Sequence, residues 1–120
     1  MNTRFAYFYR SASNYKNWGA VVFSGVVNEQ LEKRLSATLE SFEFFIADQV
    51  RVPERFFQDG LDAQVENCWH EFSSLEVTVE DPSDEFGRTI EAFVAECEAA
   101  ARDGWKVFDP KVRELAKQRW

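Results

Sequence analysis

Residues 4–10, RFAYFYR, set Phe5, Tyr7 and Tyr9 on one side of an extended chain and Ala6 and Phe8 on the other, the two-residue period of a strand. SASNYK follows, polar and turn-prone, and residues 18–24, WGAVVFS, are again β-branched and aromatic. Two strands joined by so short a loop pair antiparallel, as a hairpin over 4–10 and 18–24. No crossover helix fits between them, which excludes a doubly wound nucleotide-binding fold.

The rest of the chain supplies elements to cover that hairpin. Asn28 is a good N-cap, and Leu31, Leu35, Leu39 and Phe42 recur at helical spacing, which predicts a helix over 29–41. FEFFI at 42–46 could extend this helix or turn into a short strand, and a strand is the expectation. Val52-Pro53 stops any preceding helix, so residues 53–67 read as loop with one helical turn near Glu54–Phe57. Residues 67–79, NCWHEFSSLEVTV, read as a long strand. Cys68, His70 and Phe72 share one side of it, and Leu75, Val77 and Val79 the other. One extra residue at Ser73-Ser74, a β-bulge, would bring both sets onto one face; otherwise the sheet is covered on both sides there. Ser83 as N-cap, with Asp84 and Glu85 behind it and an apolar stripe through Phe86, Ile90, Phe93, Val94 and Cys97, predicts a helix over 84–103 ended by Gly104. Asp109-Pro110 repeats the start signal and predicts a last helix over 110–119. The expectation is a single α+β domain over 1–120: an antiparallel sheet of three to four strands with two main helices packed on it.

A chain of 120 residues has room for one core and buries roughly two thirds of its unfolded surface. Twelve Phe, three Tyr and four Trp are more rings than such a core hides, so some aromatic surface faces water. No run of residues is apolar over the length of a membrane span, and the start has no basic stretch followed by a long apolar core. A cytoplasmic protein is expected. Cys68 and Cys97 are too few for a disulfide scaffold and read as buried thiols. The net charge of −7 is unevenly spread. Residues 1–27 carry Arg4, Arg10 and Lys16 and no acid, whereas 59–98 carry twelve acids against the single base Arg88. Basic ends around an acidic middle can steer a partner by long-range field but say nothing of the fold.

Few constellations carry chemistry. Cys68-x-His70 points two donors the same way, but zinc takes three or four protein ligands and no paired spacing is present, so no metal is assigned. His70 beside Cys68 and Glu71 is the one place a base could sit; no local signature of a nucleophile accompanies it. The five glycines are scattered, with no phosphate loop, so no cofactor is assigned. Asp81, Asp84 and Glu85 read as helix-capping charge. Tyr7, Tyr9, Tyr15 and Trp18 interleave with Arg10 and Lys16 as in a base-stacking surface, yet three bases in an acidic protein give little drive, and nucleic acid is disfavoured. Trp69, Trp105 and Trp120 are candidate anchors for a protein partner.

The strings Tyr7-Phe8-Tyr9-Arg10, Asn14-Tyr15-Lys16 and Cys68-Trp69-His70-Glu71-Phe72 resemble a group of small bacterial proteins with no assigned activity. The resemblance implies a bacterial, cytoplasmic setting and directs attention to Arg10, Asn14, Lys16, Trp69, His70 and Glu71 as one set, which would line an edge of the sheet if the hairpin lies beside the 67–79 strand. The leading expectation is a non-enzymatic interaction module binding a protein partner. The alternative is a small enzyme or ligand-binding protein using Arg10, His70 and Glu71 around an aromatic cleft.

Overall fold

The computed structural model describes residues 1–11, 13–57 and 67–113. Their elements run β1 (Asn2–Arg10), β2 (Lys16–Ser24), α1 (Glu29–Thr38), β3 (Phe44–Phe45), a 3-10 turn (Asp48–Val50), β4 (His70–Thr78) and α2 (Ile90–Asp103). The strands form one antiparallel sheet of order β2-β1-β4-β3. This is the α+β architecture that the patterning predicts, with the hairpin pairing from Asn2 against Ser24 to Arg10 against Lys16.

The alternation in β1 sorts its side chains. Thr3, Phe5, Tyr7 and Tyr9 face α1 and α2 and are buried, and the core continues through Phe23, Phe45, Leu35, Phe93 and Val94. Thr3 is polar yet fully enclosed because its hydroxyl donates to the Gly25 carbonyl and accepts from the Val27 N–H, both at 2.8 Å. That pair fixes the exit from β2 into α1. Along β4 the register to β1 steps from Ala6–Ser74 to Tyr7–Phe72, leaving Ser73 as the extra residue. The bulge puts His70, Phe72 and Leu75 on the core face, as the two apolar half-patterns require. Val77 and Val79 run past the helices and are exposed.

Several element bounds depart from expectation; β4 covers His70–Thr78 rather than 67–79. Helix α1 stops at Thr38 rather than 41, because Ser41 and Phe42 both take left-handed conformations (φ 51° and 62°). The tight reversal they make pairs Glu40 with Phe44 and leaves Phe42 in solvent. The expected strand 42–46 shortens to Phe44–Phe45 for the same reason. Residues 54–57 form no helical turn. Side chains take the main chain of this strap instead: Tyr7 Oη donates to the Pro53 carbonyl (2.6 Å), Asn17 Nδ2 to that of Arg55 (2.9 Å), and the Arg55 N–H donates to His70 Nε2 (2.9 Å).

The largest correction concerns residues 84–89, which precede α2. Gly87, at φ 65°, closes a turn onto the Asp84 carbonyl, and Thr89 is the true N-cap, accepting from the Ala92 N–H. Asp84 is drawn away from capping by Arg88, whose guanidinium it meets through both oxygens at 2.9 Å. Ser83 likewise pairs with Val22 of β2 instead of starting a helix. Of the expected last helix, Pro110–Arg113 are helical and capped by the Asp109 carboxylate; residues 114–119 lie outside the described residues. No helix among the described residues is long and apolar enough to cross a membrane.

Candidate functional site

The sheet has one face under the helices and one facing water. On the water face Phe8 of β1 lies opposite Trp18 of β2, their centroids 4.6 Å apart. Phe8 is buried beneath its neighbours, whereas Trp18 is 52% exposed. Two cations sit on these rings. Lys16 Nζ is 5.1 Å from the Phe8 centroid and 5.9 Å from that of Trp18, and the Arg10 guanidinium is 5.4 Å above Phe8. Arg10 is held by Glu71, which faces Phe8 across β1 and β4 and accepts at 2.8 Å, and by the side-chain oxygen of Asn14. Its bond to Glu71 raises the Arg10 pKa further, so the cation is permanent. Asn14 reaches it from the turn, where its φ of 68° suits an Asn. Tyr15 projects beside it, 71% exposed.

Beyond Trp18 the face drops into an open trough of about 420 Å³, lined by Arg4, Ala6, Gly19, Ala20, Ser73 and Ser74 as well as the indole. Ala6 pairs with Ala20 and with Ser74 across three strands, so small side chains stack in register and form the floor. A wall of indole and a floor of small residues can seat a side chain from another molecule.

His70 is elsewhere. Successive residues of a strand face opposite ways, so with Glu71 on the water face His70 points to the core, fully buried. Tyr9 and Phe56 rings flank it at 5.3 Å. Nε2 accepts the Arg55 N–H, and Nδ1 has no partner of good hydrogen-bond geometry. Burial, reinforced by the fields of Arg55 and Arg113, lowers its pKa to about 4, and the Cys68 backbone opposes this only in part. A neutral imidazole behind a wall of rings is a core group. This corrects the expectation that Arg10, His70 and Glu71 share an edge: Arg10 and Glu71 meet on one face, and His70 is on the other.

The remaining candidates form a second group. Trp69 packs edge-on between Phe44 and Trp105, and Trp105 Nε1 donates to the Thr38 carbonyl at 3.0 Å. Both indoles are partly buried, joining the segment after α2 to the body. Trp120 lies outside the described residues. Of the interleaved aromatics, Tyr7 and Tyr9 face the core and only Tyr15 and Trp18 face water. Among the described residues no group of three or more His, Cys, Asp or Glu could hold a metal ion. Both thiols are buried and free.

Reasoning from the sequence passed over Phe8 and the trough. The signal was present as small residues at Ala6, Ala20 and Ser73-Ser74, but it becomes a surface only once the bulge fixes which residues are neighbours. No family model, curated protein or solved structure matches the chain.

Proposed function

We propose that this protein is a non-enzymatic binding module that meets a protein partner with the water face of the β1–β2 hairpin, in the bacterial cytoplasm that the sequence resemblance implies. The observation that carries the reading is Trp18: a half-exposed indole, ordered on Phe8, with Lys16 over the ring and a small-residue trough beside it. An indole already fixed loses little entropy on docking, and Trp with neighbouring cations is the composition of binding hot spots. The catalytic reading has less behind it, because the imidazole it needs is sealed on the far side of the sheet.

The test compares tagged wild type with Trp18→Ala, a change on the solvent side that spares the core, in capture from extracts of the native cell read by mass spectrometry. A protein retained by wild type and lost from an equally stable variant is the expected result. The same proteins retained by both, or none above background, would overturn the reading.

A further inference from the structure

The edge of β2 offers a more specific mode of binding, and this inference rests on the reading above. In an antiparallel pair, alternate residues turn both main-chain groups away from the partner strand. Val22 is such a residue: its N–H donates to Ser83 Oγ at 2.8 Å, and its carbonyl accepts from the N–H groups of Ser83 and Asp84 at 2.8 and 3.2 Å. The β1–β2 register has no bulge between Val22 and Lys16. Ala20, Trp18 and Lys16 therefore point their N–H and C=O groups outward as Val22 does. No described residue bonds to them.

Natural sheets protect such an edge with proline, a bulge or a covering segment, and among the described residues none of these lies over 16–20. A lone edge lysine can itself be protective, but here it has a counterpart. The Arg55 stem runs beneath Gly19, where a Cβ would come within 2.9 Å of its Cδ. Its Nη2 reaches Asn17 at 3.3 Å, and its Nε is buried without a partner. Neither Lys16 on the water face nor Arg55 on the core face forms an ion pair with a described acid. The chain's own acidic stretch, Asp81 to Glu85, already lies against this edge at Val22, one step along from the open positions.

We propose that the edge of β2 from Lys16 to Ala20 accepts an extended, acidic peptide segment of the partner as an added strand. Main-chain pairing to Trp18 and Ala20 would hold it, acidic side chains would meet Lys16 on one face and Arg55 on the other, and an apolar side chain between them would cover the indole.

Amide exchange followed by NMR tests this with two synthetic probes, a short peptide repeating Glu-Glu-Val-Glu, which as a strand presents Glu on one face and Glu alternating with Val on the other, and its counterpart with Lys for Glu. The acidic peptide slows exchange at Trp18 and Ala20 and the basic one does not, and Lys16→Glu weakens the acidic peptide roughly tenfold. Ala20→Pro, which removes an outward N–H and no bond to β1, abolishes the protection; should that variant not fold, Lys16→Glu still decides. Equal protection by both peptides, or none by either, overturns the proposal. So does protection without peptide that grows with protein concentration, which means a second copy on the edge, or a single-stranded oligonucleotide that binds where the peptide does not. If the peptide fails while Trp18→Ala still loses a captured partner, docking on the sheet face stands and strand addition alone is wrong.

Discussion

His70 shows how one buried side chain ties pH to stability. Its folded pKa, near 4, lies below the ordinary value of 6.5. Above pH 6.5 both folded and unfolded forms are neutral and the residue contributes fully. As pH falls, the unfolded chain takes up a proton that the folded one refuses, so stability drops progressively until about pH 4. The loss is about 3 kcal/mol if the whole shift is expressed. Urea midpoints measured from pH 7 to pH 4 should fall with a slope of up to one proton, and His70→Gln, although less stable throughout, should lack that slope. Asp84 and Glu96 have pKa values lowered by Arg88 and Arg51 against the cost of their burial, so their contribution is lost only at still lower pH. The sequence revealed that His70 was singular but not its role. Its place on the core face follows from strand phase, yet its low pKa depends on Tyr9, Phe56 and the Arg55 N–H closing round it, partners that are distant in the chain. The cysteines were easier: in a chain with so few, the buried free thiols expected are what Cys68 and Cys97 are, and burial pushes the Cys97 thiol pKa up.

Elements were legible where one periodicity governed and illegible where two signals competed. The hairpin and α1 each followed from a run of side chains with a single arrangement that buries them, and the Ser73 bulge was one of the two arrangements that the apolar half-patterns of β4 allowed. The start of α2 did not, because Ser83, Asp84 and Glu85 imitate a capping sequence while Gly87 and Arg88 build something else. Arg88 is enclosed between β2 and α2, donating to both Asp84 oxygens, to Glu96 and to the Val50 and Arg51 carbonyls. Its side chain is 6% exposed and that of Asp84 3%, so neither charge can turn to water if the other is removed. Arg88→Ala should cost about 3–5 kcal/mol in urea denaturation, since it strands a buried carboxylate and two carbonyls. Arg34→Ala breaks a still shorter pair with Glu98, 2.6 Å, that is about a third exposed on both sides, and should barely move the urea midpoint. Equal losses for the two variants would show that burial does not set the value of these pairs.

At the scale of the whole molecule, two aromatic surfaces lie at opposite edges of the sheet and do different work. Around Trp18 the indole faces water beside Lys16, which pairs with no described acid, and Arg10, which Glu71 holds. Around Trp69, Phe44 and Trp105 they face each other. The segment after α2 is fastened there at several points: Trp105 Nε1 bonds the Thr38 carbonyl at the end of α1, Gln49 bridges the Gly104 carbonyl and the Lys106 N–H, and Arg113 pairs with Glu54 of the strap at 2.8 Å. These contacts connect both helices, the 3-10 turn and the strap over His70, so this segment belongs to the folding unit and is not an appended tail. No local signal in the sequence could pair Trp105 with Thr38 or Arg113 with Glu54. If the segment is integral, Trp105→Ala should lower stability by about 2–3 kcal/mol, below the full cost of truncating a buried Trp because the indole is only partly enclosed. The transition should stay single, and amide exchange should quicken in α1 and the 3-10 turn as well as in residues 104–113. Capture through Trp18 should be unchanged, since that indole belongs to the other edge. Quickened exchange confined to residues 104–113, with no change in the urea midpoint, would mean that the segment is merely laid on the surface.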